Sequence, residues 1–204
     1  MSVEKGTDWG ERGTPPSDLV IVDDTAAATD VLSAARRANQ PLPAIGLRGG
    51  DLHRTLGGST VPNLRDARDA LHVTVDLGAV LADGRLHWFL DHLIVRRSWL
   101  TGRVLIAANA AFIGDWNIAP RAHPGDGKLD VLETTDMSMG DRWKARRRAR
   151  TGTHLPHPAI RSRRVAAAQY DFDRPTPMTL DGRRVGPVSS LSIRIEPDAV
   201  DVWV

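Results

Sequence analysis

Three acidic residues in turn sequences are the positions most suited to chemistry. Asp181 lies in LDG, Asp51 follows the two glycines of RGGD, and Asp126 lies in HPGDGK. A carboxylate in such a turn can act as a general base or supply the hard oxygen ligand that Mg²⁺ prefers. Asp-Gly and Pro-Gly-Asp-Gly sequences are also typical of hairpin turns without a chemical role. The residues alone leave both interpretations open.

The histidines do not form a metal-binding pattern. His154 and His157 are three positions apart around a proline, with no further ligand at suitable spacing. His87 and His92 are an odd number of strand positions apart, so they point to opposite faces of a strand. The sequence contains no cysteine, which excludes disulfides and thiolate metal sites.

Positive charge is concentrated in one predicted helix, over residues 138–150, capped by Asp136 or Ser138 and ended by Gly152. The net charge of the chain is only +2. The six cations of the helix are Arg142, Lys144, Arg146, Arg147, Arg148 and Arg150. This surface suits an anionic lipid or membrane surface, or phosphate oxygens. A solvated face without a partner is the alternative, and the lack of interleaved aromatic residues argues against nucleic acid.

Length and hydropathy favour one soluble unit. The 204 residues suffice for one good-sized core, or for one domain with a smaller appendage. The sequence has no apolar run of about 18 residues and no signal-peptide pattern. We therefore expect a cytoplasmic protein, which the basic helix could hold at the periphery of a membrane.

The chain divides into three parts. Residues 1–17 are predicted to be a flexible tail, and residues 18–70 an α/β unit with strands at 19–22 and 44–47 and a helix at 25–38. Residues 71–204 predict a β-sandwich. Its strands are placed at 72–81, 85–97, 102–110, 129–134, 165–172, 178–180, 190–195 and 200–204. The predicted fold is α+β, a small Rossmann-like strand–helix remnant docked on a larger C-terminal β-sandwich.

Several motifs of the second half resemble the diacylglycerol kinase and sphingosine kinase superfamily, including bacterial lipid kinases. In order, they are Asn109, Gly114, Ala119-Pro120, Asp126-Gly127, Leu129-Asp130-Val131, the segment THLPHPAIRSRRV at 153–165, and LDG at 180–182. The order and spacing match the family over residues 100–204. The resemblance implies a lipid kinase ancestry and the family's sandwich fold.

The resemblance also implies roles for individual residues. Asp181 would be the general base or help to hold a catalytic magnesium ion, and Asp126 would hold a structural one. Gly49, Asp51 and Arg54 correspond to the nucleotide-binding side. ATP and magnesium are therefore the implied cofactors.

Two departures from the family pattern argue against ATP. The family's Gly-Gly-Asp-Gly-Thr turn is replaced by residues 23–27, which read DDTAA. Without glycines the backbone N–H groups cannot approach a phosphate closely, and adjacent carboxylates repel it. Arg183 also stands where the family has a Glu two positions after Asp181. We expect a truncated and degenerate family member with a degraded ATP site.

Three functions follow from these patterns. In the first, the chain is a non-catalytic family member that binds a lipid, a phosphorylated metabolite or a partner. In the second, it is an active lipid kinase of diacylglycerol or sphingosine type whose site is completed across a dimer. In the third, it is a protein-interaction module. The open edges of a two-strand unit predict a homodimer or a partner chain that completes the sheet.

Overall fold

The computed structural model describes residues 9–58, 64–134 and 137–204. Its strands are β1 (Glu11–Gly13), β2 (Val20–Val22), β3 (Ile45–Leu47), β4 (Ala70–Ala82), β5 (Arg85–Phe89), β6 (His92–Arg96), β7 (Val104–Ala108), β8 (Phe112–Ile113), β9 (Trp116–Asn117), β10 (Leu129–Thr134), β11 (Ile160–Val165), β12 (Ala167–Leu180) and β13 (Arg183–Trp203). Its helices are α1 (Thr25–Arg37), α2 (Asp51–Thr55) and α3 (Met139–Ala149), with a 3₁₀ turn at Leu64–Asp66.

One large sheet connects both parts of the chain. Its strand order is β1-β4-β13-β12-β6-β7-β10-β11, with β5 paired to β4. The strands β2 and β3 run parallel, and β3 pairs in parallel with the end of β13. The α/β unit is therefore a continuation of the sandwich sheet, hydrogen-bonded to the last residues of the chain.

The two faces of β4 explain how the layers pack. Val75 and Leu77 face a cluster that includes Leu32 of α1. Val80, on the other face, belongs to a second cluster built from β4, β5, β6, β7, β10, β12 and β13, so the sheet curls around a common core. Alternation along the strand separates the two clusters. The predicted α+β fold, with a small α/β unit on a larger sandwich, is confirmed.

Several predicted boundaries are wrong. Glu11–Gly13, placed in the flexible tail, pairs with β4 as a strand. The segments predicted at 165–172 and 178–180 are one strand, β12, with register shifts against β13. The last two predicted strands likewise form the single strand β13. β11 was not predicted, because its sequence IRSRRV shows no apolar alternation.

Helix α3 was predicted within one residue at each end. Ser138 caps it, with its hydroxyl oxygen 3.1 Å from the Asp141 amide nitrogen. Asp136, the alternative cap, lies outside the described residues.

Replacing Gly78 tests the packing of β4 against β5. Gly78 lies opposite the fully buried Phe89, and an added Cβ would overlap the Phe89 ring. Gly78→Ala should lower the free energy of unfolding by about 1–3 kcal/mol, measured by urea denaturation. The control is Gly13→Ala in β1, whose Cβ would lie 3.8 Å from the Trp203 ring and should change stability by less than about 0.5 kcal/mol. Equal effects would contradict the described packing.

Candidate functional site

Acidic side chains converge where α1 and α2 pack on the sandwich. Asp51 begins α2, Asp91 lies between β5 and β6, and Asp181 lies in the turn between β12 and β13. Asp51, Asp91 and His92 each offer a ligand atom, and these atoms lie within 4.8 Å of one another. The structure therefore brings together two of the predicted site residues, Asp51 and Asp181, with two that sequence reasoning missed.

Asp181 is bound by four protein donors. Its carboxylate accepts the backbone N–H groups of Leu90, Asp91 and His92 at 2.8–2.9 Å, and the Thr29 hydroxyl at 2.5 Å. Both Asp181 and Gly182 have positive φ, as a two-residue type I′ hairpin requires. The hairpin interpretation is confirmed, and the carboxylate ties this hairpin to α1 and to the connection between β5 and β6.

Asp91, which is buried, and Asp181, which is half-buried, form a carboxyl pair. Burial, followed by the charge of Asp181, raises the pKa of Asp91 well above its usual value. Burial also raises the pKa of Asp181, but its four hydrogen bonds oppose the shift. Asp91 Oδ1 is buried and has no partner in the described chain. Because hydrogen-bond donors stabilise an ionised carboxylate, we infer that Asp181 carries the charge and Asp91 the proton.

His92 completes this group as a neutral side chain. Burial lowers its pKa to about 4. Its Nε2 lies 3.0 Å from the Ala110 carbonyl oxygen. The neutral ring therefore carries its proton on Nε2 and donates it to this carbonyl. The pair Asp91-His92 could have been noticed in the sequence, because it interrupts the apolar run between Trp88 and Val95.

Asp51 and Arg54, predicted to face a nucleotide, hold a turn of the sandwich. Asp51 Oδ1 accepts the Gly114 N–H at 2.8 Å, and Arg54 donates to the Gly114 carbonyl at 2.7 Å. The Arg54 guanidinium also lies 4.2 Å from the centre of the Phe112 ring. Gly49 precedes Gly50, the residue before α2, which has a φ of 97°. These contacts dock α2 onto β8 and β9, and a nucleotide-binding role remains a prediction.

The N-terminus of α1 carries its own carboxylate. Asp24 Oδ1 accepts the Ala27 N–H at 2.7 Å as the helix cap, and Asp23 lies 3.4 Å from the Arg48 guanidinium. A helix N-terminus of this kind can bind a phosphate through its free N–H groups. Here a side chain already occupies that position.

Asp126 has internal partners in this structure. Its Oδ1 accepts the Lys128 N–H at 3.0 Å, and its Oδ2 is paired with the guanidinium of Arg164. Arg164 Nε also lies 3.6 Å from Asp130, whose pKa burial raises to about 6. The Arg164 guanidinium therefore lies between two carboxylates, and a magnesium ion at Asp126 remains a prediction.

Arg142 corrects the predicted anionic surface. It is buried, and its guanidinium donates to the carbonyls of Trp99, Gly102 and Met137. Its inclusion among the surface cations was wrong, because α3 must bury one face and these carbonyls stabilise the charge there. The exposed cations of α3 and its C-terminal end are Lys144, Arg146, Arg147, Arg148 and Arg150.

An apolar cavity of about 90 Å³ lies between α3 and the sheet. Ile106 of β7, Leu132 of β10 and Ala145 of α3 line it, with Trp116 and Arg146 also contributing. Arg146 lies 4.9 Å from the centre of the Trp116 ring. Sequence patterns do not indicate this cavity, because its lining comes from segments far apart in the chain.

The family comparison agrees with this geometry. The family described as the YegS C-terminal NAD kinase beta sandwich-like domain matches residues 79–204. The chain belongs to this family. No curated protein is significantly similar in sequence.

Solved structures from Bacillus anthracis str. Sterne share the fold. One is described as a diacylglycerol kinase (TM-score 0.60, 13% identity, covering 91% of this chain and 75% of that one). Two others, described provisionally as diacylglycerol kinases, have TM-scores of 0.68 and 0.65 at 12% identity, each covering 91% of this chain and 77% of the other. These similarities confirm the resemblance to diacylglycerol kinases at the level of the fold.

Asp181→Asn tests the role of the Asp181 carboxylate. An amide cannot accept from all four donors, and its NH₂ group would face backbone N–H groups. We expect the free energy of unfolding to fall by about 1–3 kcal/mol in urea denaturation. Asp30→Asn, which removes an exposed carboxylate paired with Arg183, is the control and should have a smaller effect. A fully stable Asp181→Asn protein would show that the carboxylate does not hold the structure together.

Proposed function

We propose that this chain is a non-catalytic member of its family that binds a lipid, with the apolar end of the ligand beneath α3. The observation that carries the proposal is the apolar cavity between α3 and the sheet. A lipid kinase ancestry, supported by the family match and the shared fold, agrees with a lipid ligand.

The cavity suits the end of an acyl chain. Ile106, Leu132 and Ile118 contribute apolar side chains, and burying methylene groups against them is favourable by about 0.8 kcal/mol each. Arg146, at the cavity, could pair with a carboxylate or phosphate head group. From α3, the cavity is lined by two alanines and by Arg142 and Arg146, so the helix contributes few apolar contacts there, and a small shift of it would admit a longer chain.

The outer surface around α3 suits an anionic membrane surface. Met139 is 64% exposed and Trp143 56%, and they lie one turn apart on the helix. Leu100 is 43% exposed in the loop that Arg142 holds against α3. Exposed apolar side chains among lysine and arginine residues are typical of helices that lie in a lipid interface. No helix in the described ranges is long and apolar enough to cross a membrane.

The contacts of the acidic residues support a non-catalytic role. Asp24 occupies the position at the start of α1 where a phosphate would bind. Asp181, the expected general base, accepts four hydrogen bonds from the protein, so its oxygens are already engaged. Asp51 is engaged with Gly114. Each of these three carboxylates has an internal partner.

Filling the cavity tests lipid binding. Ala145→Phe places a ring in the cavity and should weaken binding of a fluorescent fatty acid at least tenfold, measured by titration in detergent-free buffer. Ala34→Phe, on the exposed side of α1, is the matched control and should bind like the unmodified protein. Thermal melting of both variants confirms folding. Unchanged binding by a folded Ala145→Phe protein would contradict the proposed site.

Vesicle co-sedimentation tests the membrane surface. The protein should bind vesicles that contain phosphatidylglycerol better than phosphatidylcholine vesicles, and replacing Arg146, Arg147 and Arg148 by Gln should abolish the preference. The control variant replaces Arg68, Arg174 and Arg184, three exposed arginines elsewhere, by Gln. Equal loss in both triple variants would show a general charge effect and no specific surface.

An active lipid kinase completed across a dimer is the second candidate, favoured by one observation. Asp91 Oδ1 is buried without a partner among the described residues, beside Asp51 and the neutral His92. These donors fit a divalent cation, which Asp51 and Asp91 would hold and which would supply positive charge for a phosphoryl group. ATP-dependent phosphorylation of diacylglycerol or sphingosine, abolished by Asp91→Asn, would establish this function. Absence of ATP binding would exclude the active kinase. A protein that binds neither lipid nor ATP would favour the third function, a protein-interaction module.

A further inference from the structure

The strand β11 forms an open edge of the large sheet. It stands last in the strand order, and β10 is the only strand with which it pairs among the described residues. Ile160 donates its N–H to the His157 carbonyl at 3.0 Å, and therefore not to β10. Because backbone groups alternate between the two sides of an antiparallel strand, the N–H groups of Ser162 and Arg164 also point away from β10. An edge of this kind can pair with a further strand.

A groove of about 500 Å³ lies beside this edge. It is lined by Ile160 and Ser162 of β11 and by residues of two loops, Pro120, Arg121, Gly152, Leu155 and Pro156. Its described lining includes no residue of β10, so the groove lies on the outer side of β11, where an added strand would run. It shares only Ile160 with the apolar cavity beneath α3. The proline and leucine side chains give the groove apolar walls, which suit the small apolar side chains of an extended peptide.

The other face of β11 carries positive charge. Arg161 and Arg163 alternate with Ile160 and Ser162 along the strand and therefore point to the opposite side. Both arginines are exposed. Arg163 donates to the neutral hydroxyl of Tyr170 at 3.3 Å, which leaves its charge uncompensated.

The neighbouring strand does not neutralise this charge. Glu133 of β10 lies opposite Arg161 in the register, but its carboxylate pairs with Arg103 at 2.6 Å. Neither Arg161 nor Arg163 forms an ion pair with any other residue in the described ranges. The group that complements this face is therefore a row of acidic side chains, and the complement of the groove is a row of apolar ones.

We propose that β11 binds an extended acidic segment of a partner protein, which adds a strand to this edge of the sheet. Because the side chains of a strand alternate between its faces, the segment places acidic residues beside Arg161 and Arg163 and small apolar residues in the groove. A second copy of this chain is a poor occupant, since β11 paired antiparallel with itself sets arginine opposite arginine. This site is independent of the proposed lipid site, and either can exist without the other.

Labelled peptides test the proposal by fluorescence anisotropy. A peptide of about seven residues, long enough for one strand, that alternates glutamate and valine should bind to saturation. A peptide that alternates lysine and valine should bind about tenfold more weakly or not at all, because its charges repel the arginines. A third peptide has the composition of the first, with its glutamates grouped at one end, and should also bind about tenfold more weakly, because it cannot match both faces of β11. Equal binding of all three peptides would overturn the proposal.

Variants of β11 complete the test. Arg161→Glu should weaken binding of the alternating acidic peptide about tenfold, whereas Arg68→Glu, at an exposed position elsewhere, should leave it unchanged. Ser162→Pro removes an N–H that points away from β10 and should abolish binding, since proline is tolerated at a sheet edge but cannot donate. Thermal melting followed by circular dichroism verifies that each variant folds. Unchanged binding by a folded Arg161→Glu protein would overturn the proposal, and so would a homodimer that Ser162→Pro dissociates, because a second copy would then occupy the edge.

Discussion

The structure depends on one carboxylate in the turn between β12 and β13. Asp181 accepts three consecutive backbone N–H groups from the connection between β5 and β6, and the hydroxyl of Thr29 from α1. One side chain thereby joins the terminal hairpin, the middle of the sandwich and the α/β unit. The same connection also binds Asn109, whose amide donates to the Leu90 carbonyl, so the family-like asparagine belongs to this structural network.

The acidic residues that the family resemblance marks for chemistry serve the fold in this chain. Asp24 caps α1, Asp51 holds the Gly114 turn, and Asp126 is paired with Arg164. An internal partner lowers the free energy of each carboxylate, and any external ligand must compete with it. Family membership therefore predicts the scaffold well, whereas the reaction depends on groups that are already occupied.

Local signals in the sequence predicted what local interactions determine. Asp181-Gly182 was identifiable as a turn because type I′ hairpins require positive φ, and α3 was placed by its Ser138 cap. Tertiary contacts determined the rest. The register shifts of β13 make its two halves look like separate strands in the sequence. Six cations in one helix do not show that Arg142 points inward, because the carbonyl groups that bind Arg142 come from a distant loop. The apolar cavity was unpredictable for the same reason.

The role of Asp181 is tested most directly by amide hydrogen exchange at Leu90, Asp91 and His92. These N–H groups lie in a connection between strands, and apart from the Asp181 carboxylate they have no acceptor in the described structure. If the carboxylate holds them, they should exchange only on global unfolding, as slowly as the core amide of Ile106. Exchange at the rate of an exposed turn such as Gly84 would contradict the account, because it would show that the hairpin and the β5–β6 connection separate freely in the folded protein.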